Sequence, residues 1–333
     1  MRIKLLIASL DAGYAGHLSA YISEHYADSI IVSVCSSYEC LKAQDGVKYD
    51  VALLDADIAD KVDIESIGLP VLMVEDIAAA PESLPQLERI CKFQRITSIT
   101  AELLTKFAKV SKHSLGTNSE NAQITAVWSP AGGVGKTTVA LSYAAKKVSE
   151  GKQVLYLNLE PFSSVPAYFH ENGKSISAVF EMLDNSESNV RMLIRGICQQ
   201  DRGVGVAYLC GPENFDDMYA LSAENIAELT AVCAGVTQEL VIDMSCVCDW
   251  RTRKVFELAS KVFLVSDSSK TSQVKLLQFT SQHNVFENMK EKIVYVANKG
   301  AAAIEAAESI LQLPLVYSSD PKAVYQTLSG CFE

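Results

Sequence analysis

No stretch of this chain is apolar over the roughly 18–20 residues that a membrane-crossing helix needs, so direct membrane insertion is not expected. C-x-x-C pairs are missing, and the nine cysteines are an odd, scattered set. That usage fits reduced thiols in a reducing compartment better than a disulfide framework. The five histidines (His17, His25, His113, His170, His283) never fall at H-x-x-H or H-x-x-x-H spacing, so a zinc site has no support. A basic stripe is absent too. The net charge is −11, and the only short cluster is Lys106, Lys109 and Lys112. Such an acidic excess repels a phosphate backbone, so nucleic acid is not an expected partner. There is no internal repeat and no low-complexity tract.

What the chain does have is apolar material: 49% of 333 residues, with 21% charged. That length suits two domains, each with a packed core. The N-terminal MRIKLLIASLDAGYAG has a basic start, but KLLIAS is too short for a signal peptide's apolar region and reads as a buried first strand. A cytoplasmic location is expected.

The first part, residues 1–110, alternates strand-like and helix-like patterns, as a parallel sheet with helices on both faces requires. The strands are predicted at Lys4–Ala8, Ser29–Val34, Val51–Leu54, Pro70–Val74 and Arg89–Lys92, with amphipathic pieces at Ala15–Tyr26, Ser37–Ala43 and Ile99–Val110. Residues 111–122 are polar and rich in Gly, Ser and Asn, which reads as a linker. Residues 123–333 form a second, larger α/β unit. Its strands are predicted at Ile124–Trp128, Val154–Leu159, Val206–Leu209, Glu239–Asp243, Lys261–Ser266, Lys292–Ala297 and Pro314–Tyr317. Several are near-continuous apolar runs, the signature of buried parallel strands.

The sharpest motif is Ser129–Thr138, SPAGGVGKTT, between the strand Ile124–Trp128 and a helical pattern at Val139–Val148. Strand–loop–helix is the context a P-loop needs. The glycines let backbone N–H groups turn inward around phosphates, and the loop empties onto a helix N-terminus that favours anions. Ala131, Gly132, Gly133, Val134, Gly135, Lys136, Thr137 and Thr138 are therefore the expected ATP cradle, with Lys136 on the β/γ-phosphates and the Thr137 hydroxyl on Mg²⁺. A plain glycine turn is the weaker alternative. Asp243, ending the apolar run Glu239–Asp243, is the expected second magnesium holder, through bound water. Cys246 and Cys248 form a lone C-x-C after that strand; structural thiols are the preferred reading and a metal or cluster site the alternative.

These residues resemble the MinD/ParA class of P-loop ATPases, whose variant Walker A loop reads KGGxGK[ST]T, and the resemblance covers residues 123–333. It implies that Asn298 contacts adenine and that Asp320 belongs to a late nucleotide-binding segment. It also implies a switch I at Leu157–Pro161, where Glu160 orients the attacking water. Three departures stand out. The class's extra lysine, which reaches a partner's phosphates across a dimer, is Ala131 here, the first switch acid is Asn158, and Glu160 is one methylene longer than the class's water-orienting Asp. Losing a cation that stabilises transition-state charge costs rate. ATP binding with slow hydrolysis follows, with Lys136, Glu160 and Asp243 as the catalytic set.

The first part resembles the receiver domain of response regulators. Asp55 sits at the phosphoacceptor position and Lys92 near the receiver's lysine, but only Asp11 remains of the acid pair after the first strand. Asp11, Asp55 and Lys92 thus make a degenerate receiver site, and Asp55 is not expected to take up a phosphoryl group. A receiver-like, flavodoxin-like domain ahead of a MinD/ParA-like ATPase resembles the TadZ/CpaE group, which positions the Flp (Tad) pilus machinery. That resemblance implies an ATP-dependent homodimer with pilus-machinery or polar landmark proteins as partners, recruited to the pole or inner membrane face. Two alternatives stay open. A ParA- or MinD-type positioning ATPase would want a basic DNA-binding surface or a C-terminal amphipathic basic helix. An iron–sulfur-carrier ATPase would want paired cluster cysteines.

Overall fold

The computed structural model describes residues 3–27, 30–44, 46–75, 87–110, 122–169, 173–183, 187–301 and 310–332. The expected linker thus lies almost wholly outside the described residues. The chain divides into two compact units, Met1–Gly116 with Asn185–Gly196, and Thr117–Asp184 with Ile197–Glu333.

The first unit is a five-stranded parallel sheet of β1 (Ile3–Ala8), β2 (Ile30–Cys35), β3 (Tyr49–Asp55), β4 (Ile67–Val74) and β5 (Glu88–Cys91) in the order β2-β1-β3-β4-β5. This 2-1-3-4-5 order is flavodoxin-like. The pleat sends alternate residues to opposite faces. Ile3, Leu5, Ile7, Val51 and Leu53 pack on one side with Leu18, Ile22, Leu103 and Phe107, and Met192 of the helix Glu187–Ile197 joins this core. Leu6, Ala8, Ala52 and Leu54 pack on the other with Leu41, Ile58 and Ala59.

The second unit holds eight strands: β6 (Gln123–Trp128), β7 (Val154–Leu159), β8 (Gln199–Gln200), β9 (Ala207–Tyr208), β10 (Glu239–Met244), β11 (Lys261–Ser266), β12 (Ile293–Ala297) and β13 (Ile310–Gln312). Their order is β13-β12-β11-β6-β10-β7-β9-β8. All neighbours are parallel except the edge pair β8–β9. Every residue of β7 and β10 is buried, which is why they read as apolar runs. One predicted strand is corrected: Pro314–Tyr317 is irregular, and the edge strand is Ile310–Gln312. The backbone pairing runs on only to Leu313, whose N–H donates to Ala297 O, and Pro314 then has no N–H to offer.

Candidate functional site

The P-loop runs from the C-terminal end of β6 to the helix Lys136–Ser149. Its backbone is shaped by two left-handed glycines, Gly133 at φ +75 and Gly135 at φ +92. At Gly135 a side chain is excluded twice over, because a Cβ there would lie 2.4 Å from Asn298 Nδ2. Around Gly132 and Gly133, by contrast, a Cβ would meet nothing within 4 Å. Gly135 caps the helix with no side-chain acceptor, and no acid stands in the first turn. The leading N–H groups are thus left for an anion. The Ala131 side chain is buried, and its N–H donates to Ser129 Oγ at 3.1 Å.

Behind the loop, β10 pairs with β7 so that Asp243 stands opposite Asn158. Asp243 is fully buried, and its Oδ2 accepts hydrogen bonds from Tyr156 Oη at 2.8 Å and Asn158 Nδ2 at 3.1 Å. No hydrogen bond of ordinary geometry reaches Oδ1. Burial pushes the Asp243 carboxyl up to about 7, with help from the nearby Glu160 charge; the Thr137 and Tyr156 hydroxyls and the Lys136 charge pull the other way. Tyr156 is held well above its ordinary pKa, first by burial and then by Asp243. A buried carboxylate with one open oxygen beside a Thr hydroxyl is the donor set a magnesium ion with bound water takes. The residues fit that ion: Thr137 and Asp243 would hold it.

The switch segment joins the same network. The Glu160 N–H donates to Asn158 Oδ1 at 3.3 Å, and Ser164 Oγ donates to Glu160 Oε2 at 3.1 Å. Ser164 Oγ also lies 3.4 Å from Thr137 Oγ1. Thr138 Oγ1 lies 3.4 Å from Tyr168 Oη. Thr137, Glu160 and Asp243 are therefore brought together. Asn298 is buried and donates to Val134 O at 2.9 Å, bracing the loop backbone. Asp320 caps the helix Pro321–Ser329, accepting from the Lys322 N–H at 3.0 Å.

Sequence reasoning missed Lys299. Its Nζ donates to Gly133 O at 2.6 Å and pairs with Asp267 Oδ2 at 3.2 Å, so a cation sits on the lip of the loop. Its backbone is left-handed at φ +57, a conformation a non-glycine residue adopts only where its surroundings demand it. The run Asn298-Lys299-Gly300 was the available signal. Tyr156 was missed as well, since a tyrosine inside an apolar run reads as core.

In the first unit, Asp55 ends β3 and is buried. Lys92 Nζ lies 2.6 Å from its Oδ1, and Ser9 Oγ donates to its Oδ2. Asp11 points elsewhere and caps the helix Ala12–His25, accepting from the Tyr14 N–H at 2.9 Å. Ser9, which no sequence argument singled out, thus stands at the carboxylate instead of an acid. Cys246 is exposed and Cys248 half-buried. Among the described residues no three His, Cys, Asp or Glu gather as metal ligands, and no helix is long and apolar enough to cross a membrane.

Neither a protein-family model nor a curated protein matches the sequence. Solved structures do match. A ParA family ATPase from Chlorobium tepidum TLS superposes with a TM-score of 0.53 at 16% identity, covering 64% of this chain and 96% of that one. A plasmid partition protein from Borrelia burgdorferi gives 0.48 at 16% identity, over 63% and 97%. The cell division ATPase MinD from Pyrococcus furiosus gives 0.47 at 15%, over 63% and 98%. The first of these establishes a likeness of fold: the chain contains the α/β fold of a ParA-class P-loop ATPase.

Proposed function

We propose that the second unit binds Mg-ATP and that the bound nucleotide governs self-association, with hydrolysis slow. The observation that carries this is the convergence of Lys136, Thr137 and the open oxygen of Asp243 behind an uncapped glycine loop. Lys136 and the loop N–H groups would bind the phosphates, and Asn298 would meet the base. Magnesium would neutralise phosphate charge there. Glu160, tied to Ser164 and through it to Thr137, would orient a water. The buried Ala131 offers no cation to a partner's phosphates, which is the ground for slow turnover.

The finer role proposed is that of the TadZ/CpaE group: localising and helping assemble the Flp/Tad pilus machinery, with the receiver-like first unit as a docking module. Ser9 in place of an acid at the Asp55 carboxylate, with Asp11 turned to cap a helix, supports docking over phosphoryl transfer. A ParA/MinD-type positioning role is the second reading, favoured by the fold likeness. Equilibrium binding of a fluorescent ATP analogue tests the first step: saturable, magnesium-dependent binding is expected for wild type and a loss of at least tenfold for Lys136→Ala. Equal binding by both would leave the P-loop without a role in nucleotide binding.

A further inference from the structure

A pair of thiols in the first unit takes no part in either the P-loop site or the Asp55 group. Cys35 ends β2 and Cys40 lies in the short helix Tyr38–Lys42. Cys40 Sγ lies 3.0 Å from Cys35 Sγ and 3.6 Å from Val34 O. A disulfide needs about 2.05 Å between sulfurs, so closure asks for a shift of about 1 Å in a short helix. No third His, Cys, Asp or Glu completes a metal-ligand group with the pair among the described residues.

The two thiols also differ in the way an oxidisable pair requires. Cys40 is half-buried and reachable, whereas Cys35 is fully buried. Burial, reinforced by the neighbouring Cys40, pushes the Cys35 thiol up to about 12. Cys35 is then the poorer first nucleophile, and its more accessible partner meets the oxidant.

We propose that Cys35 and Cys40 are a reversible redox pair that closes to a disulfide on exposure to hydrogen peroxide. The Cys40 thiolate attacks one peroxide oxygen, the O–O bond breaks, and the leaving hydroxide takes a proton to become water. Cys35 sulfur then attacks the Cys40 sulfenic sulfur. The S–O bond breaks, the S–S bond forms, and the second hydroxide leaves as water with the Cys35 proton. Two thiols are oxidised and one peroxide is reduced to two waters.

The position gives the bond something to act on. The Cys35 carbonyl accepts the Ser9 N–H at 3.0 Å, and Ser9 Oγ donates to Asp55. At the other side of the pair, Tyr38 Oη reaches Asp57 O at 3.4 Å. A disulfide would therefore fasten the helix Tyr38–Lys42 to the rim of the Ser9–Asp55–Lys92 group.

The test uses the full chain, reduced, desalted and treated with hydrogen peroxide, then blocked with N-ethylmaleimide and digested with trypsin. Both thiols fall in one peptide, Leu5–Lys42, which holds no other cysteine. The expected peptide carries no maleimide and is lighter than its dithiol form by about 2 Da, the two hydrogens lost. Cleavage after Glu39 leaves its halves joined until dithiothreitol is added. Exposed Cys246 reports that peroxide reached the protein. In Cys35→Ser the resolving thiol is gone, so Cys40 should be trapped by dimedone as a sulfenic acid. A peptide still carrying two maleimides while Cys246 is oxidised would overturn the proposal. So would a wild-type peptide that gains oxygen without losing hydrogen.

Discussion

Replacing Asp243 with Asn should stabilise the nucleotide-free protein, and by more as the pH rises. In the folded chain the Asp243 carboxyl titrates near 7, against 3.8 for an exposed one. The unfolded chain therefore releases this proton at lower pH than the folded chain does. Between those values each rise in pH favours the unfolded state, and above about 7 the penalty is complete. The full shift corresponds to about 4 kcal/mol at 1.36 kcal/mol per unit. At pH 5 less than half of it is in force, so the advantage of Asp243→Asn should grow by about 2–3 kcal/mol between pH 5 and pH 8. Asn keeps an acceptor for Tyr156 and Asn158 and never ionises. The assay is urea unfolding at the two pH values without nucleotide, followed by tryptophan fluorescence. Both tryptophans, Trp128 and Trp250, lie in the second unit, and Trp128 is fully buried, so the signal reports that unit. Titrating groups remote from Asp243 act alike in both proteins and cancel in the difference, whereas Glu160, whose charge it feels, belongs to the effect. An advantage equal at pH 5 and pH 8 would refute the reasoning.

Gly135→Ala should lower stability by about 1–3 kcal/mol, because it puts a Cβ at φ +92 and against Asn298, whereas Gly132→Ala has room; thermal unfolding by fluorescence separates them. Lys92→Ala should cost about 3 kcal/mol by stranding the buried Asp55 carboxylate. Lys92→Ala combined with Asp55→Asn should recover much of that, and urea unfolding followed by circular dichroism measures both. ATP turnover by the purified chain should fall below about 1 per second, the lower end of typical kinase rates; a phosphate-release assay showing faster turnover would mean that Ala131 is compensated elsewhere.

Much of this fold was legible because buried parallel strands advertise themselves. β6, β7, β10 and β11 are apolar runs, and the glycine loop after β6 has few other uses. The edges were less legible. β8 and β9 have two residues each, too few for a pattern, and β13 precedes the apolar stretch Pro314–Tyr317 that reads as a strand. The site divided in the same way. Lys136 and Thr137 follow from local spacing. The contacts of Asp243 depend on register instead: Asn158 is 85 positions away in sequence and meets it only because β7 and β10 are neighbours. Lys299 over Gly133 spans 166 positions. Ser9 at Asp55 shows the opposite failure, since a serine after a strand carries no signal until the carboxylate is seen beside it.

Light scattering of the full chain with and without Mg-ATP, for wild type and for Lys136→Ala, bears on the proposed switch more closely than any other measurement. Wild type should shift from monomer to dimer when Mg-ATP is added, and Lys136→Ala should remain monomeric throughout. A wild type that stays monomeric in Mg-ATP, or one that is dimeric whether nucleotide is present or not, would contradict the proposal that ATP holds the dimer together.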